Sequence, residues 1–512
     1  IKTRIKTHNK NEVKGNLKYR IVLNSPYFNK SVVLQLEAYL IAYLSADRKY
    51  KVLNGNLGLR KHNYFNQAEY EQVYPEIWDL LKKKHIVKKT IDKLTQTNAF
   101  KYSPYRSLNI DQQRAVIAVL EGLIGGKKTV VIKGVAGTGK TVLATYLIKL
   151  LATPVADLDA EELDDSFSIQ SAALLRELQP RLISNPENDL ALVVPMASLR
   201  GTIEKVLGKI EKLSSEMVIP PSRLAIQPYN LLIIDEAHRL RRRVALSNYS
   251  ILDDPNRILG LPMETNELTW VLQRSQARIL FYDELQSIRP SDVIEEEFTD
   301  LMNRNDTLVV TLQTQIRSKG GVLYTDFVFR LMRGLLKLKE RFDSDQYELL
   351  LMENIDDFTY KISERNKENG YSRMTSGFAW EWRSKKKKGE YDIEIEGRKF
   401  TWNSKTKDWI NSPNAKNEVG CIHTTQGYDV LYVGVIFGNE IGYDLEKEEF
   451  FIRSKEYKDR NGKSKATPQE LKKYITNIYS TLLLRAELGT YIYCCDPGLR
   501  TYFKRHIRLY KS

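Results

Sequence analysis

The chain has 512 residues, 42% of them hydrophobic, which is enough to bury several cores and to expect roughly two to four domains. With 79 Lys and Arg against 64 Asp and Glu, its formal charge of +15 excludes an acidic tail and favours a polyanion such as nucleic acid over an unspecialised basic surface. Three cysteines, Cys421, Cys494 and Cys495, give no disulfide framework, and no apolar run of about 18 residues or signal-peptide pattern occurs; buried thiols, no membrane span and a cytoplasmic setting are expected.

The opening IKTRIKTHNKNEVKGNLKYR is dense in Lys and Arg, with Glu12 its one acid. Arg4 and His8 are four apart and share a face if helical. Glu37 follows in the apolar stretch SVVLQLEAYLIAYL, with Val33, Leu40 and Leu44 at helical spacings from it. A carboxylate beside a buried stripe needs a cation or an Arg to offset its desolvation. Asn54 and Asn56 come next, in KVLNGNLGL.

This succession of Arg-x-x-x-His, an apolar Glu-bearing helix and Leu-Asn resembles the later part of a GIY-YIG nuclease domain. The resemblance implies that Glu37 holds a divalent metal and Arg4 steadies a scissile phosphate, with His8 and Asn54 in the same site. The tyrosine-bearing hairpin that completes such a site would precede Ile1, so the sequence is expected to begin inside a longer polypeptide, and nuclease activity stays open. The other reading of residues 1–63 is a basic structural domain. Residues 64–104, with KKKHIVKKT at 82–90, read as a basic helical connector whose lysines either face solvent or touch nucleic acid.

Residues 129–151, TVVIKGVAGTGKTVLATYLIKLL, pass from a β-branched run to a Gly-rich loop to an apolar helix, the pattern of a P-loop. Gly134, Gly137 and Gly139 are expected to supply positive φ and close backbone approach, so that the N–H groups around Thr138 wrap a phosphate at a helix N-terminus. Lys140 is expected on the β- and γ-phosphates of ATP, and Thr141 on Mg²⁺. Just upstream, LNIDQQRAV offers Gln112, whose amide both donates and accepts and so suits an adenine edge.

The segment ADLDAEELDDS at 156–166 reads as a solvated acidic insertion, and LALVVP at 190–195 as a buried strand leading to Ser198 and Arg200, a candidate backbone grip. LLIIDEAHRL at 231–240 is an apolar strand ending in two carboxylates. Asp235 suits Mg²⁺ through water, and Glu236 suits the base that takes a proton from the attacking water. ARILFYDELQS at 277–287 is another strand, ending in Asp283 and Gln286, with Gln286 as a γ-phosphate sensor.

TLVVTLQTQIRS at 307–318 is a strand leading into Gln315 and Arg317. EVGCIHTTQGYDVLYVGVIFG at 418–438 reads as strand, polar turn and strand, with His423, Thr424, Thr425, Gln426 and Gly427 at the turn. NIYSTLLLRAELGTYIYCCD at 477–496 places Arg485 ahead of a last strand. Taken in order over residues 108–496, these segments resemble the motifs of superfamily 1 helicases, with Tyr282 where motif III usually has Gly. FAWEWRSKKK at 378–387, WNSKTKDW at 402–409, EVGCIHTTQG and the strand ending in Cys-Asp also resemble the Schlafen-group-3-like bacterial helicase-domain family, which is sometimes joined to a GIY-YIG nuclease.

That resemblance implies two RecA-like α/β P-loop domains in tandem, at 105–300 and 301–512, behind a small α+β N-terminal domain. MgATP would lie between them, with Gln112 reading adenine and Arg317 and Arg485 closing on the γ-phosphate. Nucleic acid, DNA favoured over RNA, would cross their top, in a DNA-restriction or phage-defence setting that leaves an oligomer or partner proteins open. The large inserts of the repair helicases are absent, so ATP hydrolysis is expected ahead of unwinding; the alternative is an ATP-driven sensor that gates the nuclease. Lys385–Lys388 and the Lys-rich segment 453–473 read as exposed loops. Trp380, Trp382, Trp402 and Trp409 either stack on bases or cover a sheet.

Overall fold

The computed structural model describes residues 19, 21–50, 52, 65–95, 97–155, 166–385, 387, 389–405, 409–425 and 430–511, without the side chains of Asn411 and His423. Arg4, His8 and Asn54 of the nuclease-like reading lie outside the described residues, as do Asn56, Gln426, Gly427 and residues 156–165 of the acidic insertion. Two compact units are present, one built from residues 1–120, 145–190 and 202–218, the other from 121–144, 191–201 and 219–512.

The first unit is helical, and no strand occurs among the described residues before Thr129, so the α+β expectation for the N-terminal region gives way to helices. The helix Lys30–Asp47 starts at Asn29, whose side chain accepts from Val32 N, and stops at Arg48 in the left-handed region. Against it packs Gln67–Lys83: Ala46, Trp78, Leu81 and Leu94 share one apolar cluster, and Val32, Leu36 and Tyr74 another. Leu40 and Leu44 pack part-buried against these clusters as expected, but at the start of the helix Val32 takes the place expected of Val33. Val33 is 42% exposed and Glu37 is half-buried at the stripe's margin. Further along this unit, buried Lys149 donates to Glu211 O at 2.9 Å, and Gln179 Nε2 donates to Leu151 O and Thr153 O at 3.0 and 2.7 Å.

The second unit carries two mainly parallel sheets, the expected pair of RecA-like α/β domains. The first consists of β1 (Thr129–Gly134), β2 (Leu190–Val193), β3 (Val218–Ile219), β4 (Tyr229–Ile234), β5 (Ser275–Tyr282) and β6 (Thr307–Leu312), in the order β3-β2-β4-β5-β1-β6. β1 is parallel to both β5 and β6, and β4 to β5. The inner strands read as continuous apolar runs because helices cover both faces. β6 sits at the edge, where Val309 is 39% exposed. It pairs with β1 along its whole length, so a division after residue 300 does not coincide with the division between sheets.

The second sheet holds β7 (Glu348–Leu351) and β8 (Ser372–Ser376), then, after the antiparallel ribbon of β9 (Ile393–Ile395) and β10 (Arg398–Phe400), β11 (Val419–Cys421) and β12 (Val430–Phe437). The antiparallel pair β13 (Ile441–Asp444) and β14 (Glu449–Ile452) precedes the last two strands, β15 (Ala486–Cys494) and β16 (Arg508–Leu509). The order β11-β8-β12-β15-β7-β16 is parallel throughout. Helix Pro468–Leu483 opens with a capping box between Thr467 and Glu470, buries Ile475, Ile478 and Tyr479, and hands the chain to Arg485.

Trp402 and Trp409 are 1% and 0% exposed, which makes them sheet cover and not base-stacking platforms. Trp409 Nε1 donates to Glu418 Oε2 at 2.7 Å, and Trp380 and Trp382 pack part-buried on the core around Trp402. Segment 453–473 is not an exposed loop: Arg453 pairs with Asp496 at 2.6 Å, Lys463 donates to Tyr457 O at 2.7 Å over a buried Tyr457, and the segment ends inside a helix. Lys385 lies 5.1 Å from the Trp382 ring centre. The three cysteines are free; Cys421 and Cys494 are buried, Cys495 half-buried. Among the described residues no helix is long and apolar enough to cross a membrane.

Candidate functional site

The site gathers at the carboxyl ends of β1, β4 and β5, where an open α/β sheet exposes helix N-termini and turns to a ligand. In the P-loop, Gly137 and Gly139 take φ of 92° and 81°. Gly134 does not belong with them, since it is not among the positive-φ glycines. Its reason is space: a Cβ there would meet Thr138 Oγ1 at 2.6 Å and Leu312 Cβ at 3.3 Å. Thr138 is buried and donates from Oγ1 to Val135 O at 3.0 Å.

Lys140 is 5% exposed and folds back over the loop. Its Nζ donates to Gly134 O at 2.6 Å, Val135 O at 3.1 Å and Asp283 Oδ2 at 2.9 Å. The last contact follows from the register, because Lys133 lies opposite Tyr282 and the next residues leave the sheet side by side. Sequence reading placed Asp283 at a strand end but gave it no partner. An acid directly after an eight-residue strand was the available signal.

Asp283 also accepts from Gln286 Nε2 at 2.5 Å and from Leu285 N at 3.1 Å, so the expected γ-phosphate sensor is held by the partner of Lys140. Tyr282 points the other way, into the core, stacked on Phe298 with ring centres 4.3 Å apart. That placement accounts for a large side chain at the position where motif III usually has Gly.

Asp235 and Glu236 are both withdrawn from water. Burial and the neighbouring Glu236 charge push the Asp235 carboxyl up, against smaller opposing effects of Thr141 and Lys140. Burial would also raise Glu236, but His238, Lys140 and Arg485 outweigh it and hold its carboxyl well below the usual range. Glu236 sits at φ 53°, ψ 46°, a left-handed conformation that costs a non-glycine residue roughly 1–3 kcal/mol. His238, fully buried, brings Nε2 to 2.9 Å from Glu236 Oε2. His238 was not singled out from sequence, although its place two residues past Glu236 on a tight 3₁₀ turn was legible.

Asp235 Oδ2 is a buried carboxylate oxygen without a hydrogen-bond partner, and the Thr141 hydroxyl is beside it. Hard oxygen donors of this kind fit Mg²⁺, whose remaining positions phosphate and water normally fill. Among the described residues no group of three or more His, Cys, Asp or Glu could hold a metal ion alone, and this applies to the surroundings of Glu37 too.

Arg485 is 3% exposed at the start of β15, and its charge is among those acting on Glu236. A second-sheet guanidinium therefore acts on one first-sheet carboxylate, Glu236. Arg317 is half-buried, with its N–H donating to Gln315 Oε1 at 3.0 Å.

Gln112 is occupied differently from the expectation. Its Oε1 accepts from Asn109 N at 3.1 Å while its own N–H donates to Asn109 Oδ1 at 2.8 Å, a reciprocal cap on helix Ile110–Ile124. Arg200 Nη1 donates to Val194 O at 3.1 Å, with Ser198 half-buried nearby on the same helix. At the polar turn after β11, Thr424 and Thr425 both direct their hydroxyls to Cys421 O, at 3.0 and 2.9 Å.

Several proteins are similar to this chain. The uncharacterized protein YPL245W of Saccharomyces cerevisiae is 25% identical over 406 residues, 72% of this chain and 82% of that protein. Among solved structures, the Pif1 helicase from Bacteroides with ADP-AlF3 and single-stranded DNA is 13% identical, with TM-score 0.29 over 75% of this chain and 92% of that one. Mss116p bound to single-stranded RNA and AMP-PNP is 12% identical, with TM-score 0.36 over 85% and 79%. The arterivirus nonstructural protein 10 helicase is 12% identical, with TM-score 0.32 over 75% and 63%. The profile of the Schlafen group 3 DNA/RNA helicase domain matches residues 127–496, nearly all of the chain from the P-loop strand to Asp496. The chain belongs to the Schlafen group 3 helicase-domain family.

Proposed function

We propose that this protein is a nucleic-acid-dependent ATPase of the superfamily 1 helicase type, which couples hydrolysis of MgATP to movement along DNA or RNA. One observation carries the reading: Lys140, Asp235 and Glu236 lie at the carboxyl ends of β1 and β4 on either side of β5, and Arg485 of the other sheet adds to the His238 and Lys140 charges that hold Glu236 ionised. In this reading the amides of residues 137–141 and Lys140 bind the β- and γ-phosphates, and Lys140 exchanges its carbonyl and Asp283 contacts for phosphate oxygens. Thr141 and Asp235 would hold Mg²⁺, which when bound neutralises charge on the phosphates.

Glu236, kept as a carboxylate by His238, Lys140 and Arg485, accepts a proton from the attacking water. Arg485, with Arg317, stabilises charge on the transferring phosphoryl group. Gln286, tied to Asp283 before ATP enters, turns to the γ-phosphate when Lys140 releases that acid. The approach and retreat of Arg485 and Arg317 then accompany steps along the strand. Attachment to a nuclease in a defence setting is carried by the resemblance of residues 1–63.

Lys140→Ala and Glu236→Gln are expected to abolish nucleic-acid-stimulated ATP turnover, measured as phosphate release by the full chain. Turnover retained in either variant defeats the reading.

A further inference from the structure

The residue ahead of Arg317 by two positions is bound to the P-loop. Gln315 Nε2 donates to Ala136 O at 2.7 Å, and its Oε1 accepts from Arg317 N at 3.0 Å. One amide therefore bridges the apex of the phosphate loop and the backbone of the arginine. A second strut runs beside it, from Ile316 N to Gly137 O at 2.9 Å. Gln315 Nε2 also reaches Thr325 Oγ1 at 3.2 Å on helix Gly321–Leu331. Ala136 itself is 6% exposed and packs in the core of the second sheet, with Ile288, Tyr324 and Ile475 among its companions. Gly137 has no room for a side chain on this side, because a Cβ would overlap the Gln315 amide.

We propose that Gln315 is a positioning residue that reports occupancy of the phosphate loop to Arg317. A triphosphate drawn onto the loop amides re-aims the Ala136 and Gly137 carbonyls, which are the acceptors of Gln315 Nε2 and Ile316 N. When the Nε2 bond shifts, Oε1 carries the Arg317 backbone with it, because both bonds belong to one planar amide. The proposal rests on the ATPase reading and assigns the link by which Arg317 feels nucleotide.

The test is hydrogen exchange at the Ile316 and Arg317 amides of the full chain, with and without ADP. In wild type, ADP changes exchange there by about fivefold or more, the scale of a local opening equilibrium shifted by one hydrogen bond. In Gln315→Met, which keeps length and loses both bonds, the response vanishes although ADP binds within about threefold of wild type. Gln315→Glu keeps the acceptor for Arg317 and loses the donor to Ala136; it is expected to lose the response too, and it serves should the Met variant fail to fold.

Turnover gives a second readout. Gln315→Met lowers kcat about tenfold with KM within about threefold, and adds no further loss in an Arg317→Ala background. A wild-type response surviving in both Gln315 variants, or losses that multiply in the double variant, overturns the proposal. Wild type that binds ADP without any change at residues 316 and 317 overturns it while the ATPase reading stands. Wild type that binds no nucleotide overturns both.

Discussion

The carboxyl ends of the two sheets hold buried charge differently. At the first sheet two closely matched ion pairs, Lys140 with Asp283 at 2.9 Å and Arg239 with Asp292 at 2.8 Å, all at most 5% exposed, flank Asp235, whose carboxyl is pushed up by burial. Past β12 in the second sheet, Glu440 is fully buried and accepts from Tyr479 OH at 2.5 Å, and among the described residues no ion pair to it occurs. Burial, ahead of every other influence, raises its carboxyl to about 7. Buried ion pairs add little stability over apolar packing, so their persistence at one edge points to a use in which a ligand's charge replaces a partner. Glu440 is held by the Tyr479 hydroxyl and by burial in the second-sheet core, with no ion pair of that kind among the described residues.

The largest expected effect comes from filling glycine space at each edge. Gly137→Ala, at φ 92° and against Gln315, is expected to weaken ADP binding by about a hundredfold or more, measured by titration calorimetry. Gly438→Ala, whose Cβ would overlap Ala379 beside Glu440, is expected to lower the melting temperature and leave ADP affinity of the folded chain unchanged. Equal losses of ADP affinity in the two variants would break the comparison.

Next comes Asp283→Ala, which leaves the Lys140 ammonium buried on two carbonyls and is expected to cost about 3–5 kcal/mol in urea unfolding. An unchanged midpoint would show that the pair is not needed to hold the edge together.

Glu440 supplies the pH signature. Its folded-state pKa of about 7 stands above the ordinary carboxyl value of 4.5, so the folded form binds the proton more tightly. The stability this contributes is complete below about pH 4.5 and is lost as pH rises through 7, an order-of-magnitude change of about 3 kcal/mol. Glu440→Gln is expected to flatten the dependence of melting temperature on pH in that window and to raise stability at pH 8. A slope unchanged by the substitution contradicts a neutral buried acid. The smallest effect is Trp409→Phe, which removes the bond to Glu418 and is expected to cost about 1–2 kcal/mol in the same unfolding assay.

How much of this was legible in sequence follows from how local each feature is. The P-loop, the Asp-Glu strand end and the Asp-x-x-Gln turn are contiguous patterns, and all three lie at adjacent strand ends. Arg485 was placed by its resemblance to motif VI, and its charge is among those acting on Glu236. Pairings between strands were not legible. The Lys140–Asp283 contact depends on β5 lying beside β1, about 150 residues away in sequence, and the Gln315 bridge depends on β6 joining the first sheet.

Gln112 shows the opposite lesson, because the local reading was there and a different one was preferred. Asn109 three residues before Gln112, at a helix start, is a cap signature, and the cap is what forms. Gly134 was grouped with its neighbours by composition, while its need for space arises from Thr138 and Leu312. For Trp402 and Trp409 the commoner reading, cover for a sheet and not a stacking platform, is the one that forms, although only the sheet beneath them decides it.

The most direct test of the central claim is ATP turnover by the wild type and Glu236→Gln on single-stranded, duplex and tailed DNA and RNA. The account predicts wild-type hydrolysis that rises with a single-stranded nucleic acid, and a Glu236→Gln chain that binds ATP but turns over about a thousandfold more slowly, roughly 4 kcal/mol of transition-state stabilisation. Wild-type turnover that ignores every nucleic acid, or a Glu236→Gln chain that hydrolyses ATP at the wild-type rate, would contradict it.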